Sequence, residues 1–204
     1  MQTDKSFNAL LPDYLKAIAG IQFTPVDVAL KAAEFLAVKS GSKVLDIGSG
    51  AGKFCLIGAS RFPSSDFVGV EQRKDLYECS VQLAAKLGLN NVNFILSDIK
   101  KHNLQLYNGF YFYNSFHENL VYGNVNNLDY SGHEESVFDS DGGEEDFSTD
   151  RYISYSDNLR SQLRRCKTGS RLVTYHSVGL EVPENYKLVE QHFESKLSFW
   201  IKNS

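Results

Sequence analysis

The residues best placed to do chemistry begin at Val44. An apolar run, Val44-Leu45-Asp46-Ile47, passes directly into Gly48-Ser49-Gly50-Ala51-Gly52. Glycines in such a position let the backbone turn tightly and approach a ligand closely. Taken alone, the same residues are equally a plain strand-to-helix turn. The spacing narrows the choice. A dinucleotide fingerprint GxGxxG would place its third glycine at 53, where Lys53 stands, and the P-loop pattern fails because Phe54 follows Lys53. Asp46, two residues before the first glycine, would repel a pyrophosphate and would suit an ammonium group. Glu71 closes the next apolar run, FVGVE, 19 residues after Gly52. An acid there can accept hydrogen bonds from both hydroxyls of a ribose, or can simply favour the start of a helix through its dipole. Asp98 closes a third run in NFILSDIK, where an N-cap or loop role is also open.

With VLDIGSGAG, Glu71 and Asp98 taken together, residues 24–201 resemble the class I methyltransferases that use S-adenosyl-L-methionine (SAM). The resemblance implies a role for each position. Asp46, Gly48, Ser49, Gly50 and Gly52 would hold the methionyl part of SAM. Glu71, with Gln72 beside it, would hold the ribose. Asp98 would contact the adenine amino group, and the amide of Ile99 the ring. Asn114 follows a fourth apolar run, in GFYFYNSFHEN, and falls near the methyl group, so it counts both as a cofactor contact and as a catalytic candidate. His117 and Glu118 are candidate proton acceptors, and a packed or solvent-facing loop histidine is the alternative for His117. The NPP motif of adenine-N6 methyltransferases is missing, since Asn114-Ser115-Phe116 has no proline. The stretch is more similar to Dot1-type and related protein lysine methyltransferases.

These positions need strands that end together. Residues 43–47, 66–70, 92–96, 110–113 and 171–175 read as short strands, and residues 186–202 as a hairpin turning near Glu194-Ser195. Helices alternate with them, to about Arg61, over 73–87 with Gly88 as the stop, and over 152–166. The expected fold is α/β, a doubly wound, mostly parallel seven-stranded sheet with a C-terminal antiparallel hairpin and N-terminal helices. Residues 1–204 read as one domain, with a helical segment over 1–40 and an acidic insertion at about 121–150. In the N-terminal segment Leu11, Tyr14, Leu15 and Ile18 share a helical face. Thr24-Pro25 then reads as an N-cap and first helical position, opening a helix that ends near Ser40-Gly41.

Charge separates the chain into unequal parts. Residues 102–150 hold ten acids and no Lys or Arg, while the remainder holds all 21 basic residues and carries +6 against an overall −4. An acidic stretch so concentrated repels phosphate backbones, so the expected acceptor is a cationic protein or an amine, and nucleic acid is not expected. Residues 129–150 read either as a solvated loop or as a lid attracting a cationic acceptor; a small-molecule acceptor is the alternative, with nucleic-acid methylation, weakened by the charge layout and the missing NPP, and a non-catalytic SAM-binding role as further ones. Arg160, Arg164, Arg165 and Lys167 follow on the next helix, to pair with the acids or bind a separate anion. No apolar run spans a bilayer and no secretory signal is visible, and three scattered cysteines form no CxxC pair. A cytoplasmic protein without a metal is expected.

Overall fold

The computed structural model describes residues 3–17, 19–113, 149–177 and 179–204. Seven strands make one sheet: β1 (Lys43–Ile47), β2 (Asp66–Glu71), β3 (Val92–Leu96), β4 (Gly109–Tyr113), β5 (Arg171–Tyr175), β6 (Tyr186–His192) and β7 (Leu197–Lys202). Their order across the sheet is β3-β2-β1-β4-β5-β7-β6. The first five are parallel, while β7 runs antiparallel to both β5 and β6. This is the doubly wound sheet with a terminal hairpin that the sequence pattern predicts. The order reverses beside β1, which opens a crevice at the carboxyl ends of β1 and β4.

Each central strand is buried on both faces, which is why it reads as an apolar run rather than an alternating one. Alternation within β1 divides its side chains between two cores. Val44 packs with α4 (Val26–Leu36), α5 (Lys53–Arg61) and α6 (Lys74–Leu87), whereas Leu45 and Ile47 pack with α7 (Thr149–Arg164). Phe54 of α5 stacks on Tyr111 of β4 with ring centroids 4.0 Å apart. Burying one such ring contributes about 1.5–3 kcal/mol.

The N-terminal segment holds three short helices, α1 (Asp4–Asn8), α2 (Asp13–Lys16) and α3 (Ala19–Gln22), in keeping with the helical reading of the sequence. Phe7, Leu11 and Leu15 reach the core; Ile18 lies outside the described residues. Helix α4 begins differently from its sequence signal. Pro25 is the N-cap, and the Thr24 hydroxyl bonds the Tyr111 hydroxyl at 3.0 Å instead of the helix. The amide of Val26 donates to Asp4 Oδ1 at 3.2 Å, so α1 caps α4 from 22 residues away. The helix stops at Leu36, short of Ser40-Gly41. Helix α6 ends as read, at a left-handed Gly88. Helix α7 begins at Thr149, three residues earlier than the pattern indicates.

Candidate functional site

The glycine loop sits in the crevice between β1 and α5. Val70 of β2 accepts from the amides of Gly48 and Ser49, each at 3.0 Å, which folds the loop back over the neighbouring strand. Gly48, Gly50 and Gly52 all have positive φ. Gly52 carries a second constraint, because a Cβ there would lie 2.5 Å from Phe94 Cζ and 2.9 Å from Ser80 Cβ. Glycine is required both for the turn and for the approach of the helix start to β3 and α6.

Glu71 ties this loop to the end of β2. Its Oε2 accepts from the Gly50 amide at 2.8 Å, and its Oε1 accepts from the amides of Gln72 and Arg73, each at 2.9 Å. The carboxylate is buried and fixed by three backbone donors. Two oxygens offer about four acceptor directions, so one remains on Oε2 for a hydroxyl of a ligand. Arg73, whose amide Glu71 holds, is the N-cap of α6, so the acid also stands at a helix start, and the two readings are compatible.

Asp46 is placed differently from its neighbours. As a β1 residue alternating with Leu45 and Ile47, it points under α5, where the Cys55 thiol donates to Oδ2 at 3.6 Å. Burial pushes its carboxyl up to about 8; the Cys55 thiol opposes this and the Glu71 charge adds to it. Ser49, next in the loop, has a buried hydroxyl with no hydrogen-bond partner. An orphaned hydroxyl beside a buried acid at the open end of a parallel sheet is what a polar, partly cationic ligand would satisfy.

Asp98 follows β3 and caps the short 3₁₀ turn Ile99–Lys101, with Oδ1 accepting from the Lys100 amide at 2.9 Å. The N-cap reading is therefore correct, and it leaves Oδ2 for a second contact. Ile99 is buried in the second core. Tyr155 of α7 donates to Gln72 Oε1 at 3.5 Å, closing this side of the site with Lys100 4.1 Å above its ring. The structure thus gathers Asp46, Gly48, Ser49, Gly50, Gly52, Glu71, Gln72, Asp98 and Ile99 at the carboxyl ends of β1, β2 and β3. Asn114, His117, Glu118 and the acidic insertion up to residue 148 lie outside the described residues. Among the described residues no three His, Cys, Asp or Glu side chains gather as a metal site would require, and no helix is long and apolar enough to cross a membrane.

Three contacts at the site have no simple sequence signal. Lys53, buried at the start of α5, reaches Asp4 Oδ1 at 2.5 Å and lies 5.2 Å from the Phe7 ring centroid. Phe23 covers the loop, 3.6 Å from where a Gly50 Cβ would be. Tyr111 holds Thr24. Together they bring the N-terminal helices over the glycine loop. Nothing in the spacing of Asp4, Phe23 or Tyr111 announces this; only an unexpected lysine inside a glycine motif hints that a partner acid is required.

Strand order, crossover pattern and hairpin define the fold of the class I SAM-dependent methyltransferases. Residues 38–134 match the family described as a methyltransferase domain. Among curated proteins, the chain is 46% identical over 55 residues to a tRNA (guanine-N(7)-)-methyltransferase of Synechococcus sp. (strain JA-3-3Ab), covering 27% of this chain and 23% of that enzyme. It is 39% identical over 87 residues to the 23S rRNA (uracil(1939)-C(5))-methyltransferase RlmD of Alkalilimnicola ehrlichii, covering 43% and 18%. It is 35% identical over 65 residues to a probable (S)-tetrahydroprotoberberine N-methyltransferase 2 of Papaver bracteatum, covering 32% and 18%. The matched segment therefore spans less than a quarter of each of these relatives. An RNA methyltransferase from Salinibacter ruber, solved with S-adenosyl-L-homocysteine, superposes with a TM-score of 0.59 at 18% identity, over 89% of this chain and 94% of that one.

The RNA-modifying relatives overturn the expectation that nucleic acid is an improbable partner. The physical reason is that repulsion acts locally. The ten acids sit in one 49-residue stretch, and the remaining chain carries +6, which is available to phosphates elsewhere on the surface.

Proposed function

We propose that this chain binds SAM and transfers its methyl group to an RNA. The observation that carries the cofactor reading is the bond from the Gly50 amide to Glu71 Oε2 at 2.8 Å, which joins the glycine loop to the acid at the end of β2. The loop and the acid would hold the methionyl and ribose parts, with Asp98 and the Ile99 amide at the adenine. The buried, unpartnered Ser49 hydroxyl and the open Oε2 direction fit a polar group there. SAM would supply a methyl carbon bearing a sulfonium leaving group. This chain's residues then need only position, dry the site and take up a proton where the acceptor carries one. Asn114, His117 and Glu118 are the candidates for that proton.

The tRNA and rRNA relatives support RNA as the acceptor. The Papaver relative favours a second reading, a small amine, which keeps the amine part of the sequence expectation. The lysine-specific part rested on Asn114-Ser115-Phe116 and gains no support from these relatives. One experiment separates the readings. Purified protein is incubated with methyl-labelled SAM and a cell extract split into RNA, protein and small-molecule fractions. Label in RNA is the expected result; label confined to protein or to small molecules overturns the acceptor, and no label with no SAM binding overturns the cofactor.

A further inference from the structure

At the opposite end of the sheet, the amino ends of β1, β4 and β5 border an open groove of about 600 Å³. Its lining includes Lys39, Lys43, Lys167 and Arg171 and, among the described residues, no carboxylate. Lys39, Lys43 and Lys167 are exposed and make no ion pair among the described residues. The remaining polar groups add donors. Asn108 uses its Oδ1 to accept from the Lys43 amide at 2.9 Å, which leaves its amide nitrogen for the groove, and Gln105 and Thr168 are exposed beside it. Asp66, exposed and paired in register with Lys43 across β1 and β2, does not line the groove, and cationic side chains gathered in excess repel one another unless an anion joins them.

The scaffold under these cations is fixed. Asn108 donates to the Lys43 carbonyl at 3.0 Å and accepts from the Arg171 amide at 2.9 Å, which knits β1, β4 and β5 together. The turn carrying Lys39 is closed by the Ser42 hydroxyl on the Lys39 carbonyl at 2.7 Å. The Arg171 guanidinium is held against Phe35, 4.5 Å from the ring centroid and 3.0 Å from its carbonyl. Arg171 thus adds a fixed positive field, while the three lysines stay mobile point charges.

We propose that this groove binds the sugar–phosphate backbone of the RNA acceptor. The inference rests on the RNA reading above and extends it to a second surface, a strand length away from the cofactor end, about 16 Å for five residues. A free mononucleotide fits less well. Its base would need an open ring to stack on, and the groove's one ring among the described residues, Tyr107, is buried with its hydroxyl bonded to His102 at 2.8 Å. Val38 and Leu106, both more than half exposed, instead offer apolar contact to riboses passing the rim. One connection joins the two ends of the sheet, with two cations at its cofactor end and polar groups in the groove. The segment from β3 to β4 starts with Lys100 and Lys101 at the cofactor end and finishes with Gln105 to Asn108 in the groove. A folded RNA is long enough to lie along it.

The test uses the full chain, bulk bacterial tRNA and fragmented rRNA. In Lys39→Gln/Lys43→Gln/Lys167→Gln, three surface charges are removed. Lys16→Gln/Lys86→Gln/Lys187→Gln, a control of equal charge, removes three exposed lysines elsewhere. The groove variant is expected to bind RNA at least tenfold more weakly near 0.1 M salt. Its log–log salt slope should fall by about 2–3 relative to wild type, at roughly 0.7–0.9 per lost phosphate contact. SAM binding should be unchanged in both variants. If the wild type methylates RNA and both variants bind it alike, the groove proposal is overturned while the RNA reading stands. If the wild type binds RNA through the groove but its label goes to another fraction, the acceptor reading falls and the groove proposal stands. If no RNA binds, both fall. Release of bound RNA by millimolar AMP or inorganic phosphate would assign the groove to a small phosphate ligand and overturn the proposal.

Discussion

Glu71 has two tasks that a single substitution would expose together. It accepts three backbone amides, and it offers one open acceptor direction to a ligand. Glu71→Ala is therefore expected to lower SAM affinity on the order of a hundredfold, since charge-assisted hydrogen bonds contribute about 1.5–3 kcal/mol each. The same change strands the Gly50 amide and should lower stability by about 1–3 kcal/mol. Calorimetric titration alongside thermal unfolding separates the two; a folded variant with undiminished SAM affinity would make Glu71 a staple of the loop and nothing more. Asp46 makes a prediction of opposite character. Its folded carboxyl stands at about 8 against 3.8 for a free one, so between those values the folded chain keeps a proton that the unfolded chain releases. The stability it contributes is complete below 3.8 and is lost as pH rises toward 8. Compared with Asp46→Asn, the wild type should lose roughly 2–4 kcal/mol between pH 5 and pH 8. Parallel unfolding curves for the two proteins over that range would show that Asp46 is already ionised under α5.

At the scale of elements, the Lys53–Asp4 pair decides whether the N-terminal helices stay over the glycine loop. Lys53 is buried and Asp4 is half exposed, so among the described residues losing the acid leaves a buried ammonium with the Phe7 ring as its remaining contact. Asp4→Ala should cost about 3 kcal/mol, including the lost cap on Val26, and Lys53→Met should recover part of that in the double variant. Urea unfolding of the four proteins gives the coupling; additive effects would mean that the pair does not hold the segment. This contact also marks where sequence reading stops. The five parallel strands are legible because each is a short apolar run between polar or glycine boundaries, and Glu71 and Asp98 are legible because they follow such runs directly. The helix starts are less so. Thr24 carries a capping signal, yet its hydroxyl is taken by Tyr111, 87 residues away, and Asp4 caps α4 in its place. Local propensity cannot anticipate a partner that the fold supplies. Asp46 is legible as the acid at the end of the first apolar run, before the glycines, but its orientation under α5 follows from register within β1, which spacing alone leaves open.

Across the whole molecule, charge is the property that sequence arithmetic gives most directly and that is most easily misapplied. A net charge of −4 summarises a chain whose bases and acids are segregated. The basic groove at the amino ends of the strands is not legible in the sequence because its cations come from two connections, Lys39 and Lys43 from one and Lys167 and Arg171 from another more than 120 residues away. Segregation has a testable consequence that needs no knowledge of how the acidic stretch is arranged. Residues 121–148 contain eight acids and no Lys or Arg, so replacing them with a neutral Gly/Ser linker takes the net charge from −4 to +4. The cofactor residues lie elsewhere, so SAM affinity should hold. RNA affinity should rise, by about tenfold at low salt, because long-range repulsion of phosphates is removed while the groove is kept. The gain should shrink as salt shortens the screening length toward 8 Å at physiological ionic strength. Loop closure adds little to this balance, since its entropy changes only slowly with length. Filter binding of tRNA over a salt series measures the effect. An unchanged affinity at low salt would place the acids too far from the bound RNA to matter. A weaker one would mean that the stretch itself contributes to the RNA interface, through its aromatic and amide side chains rather than its charge.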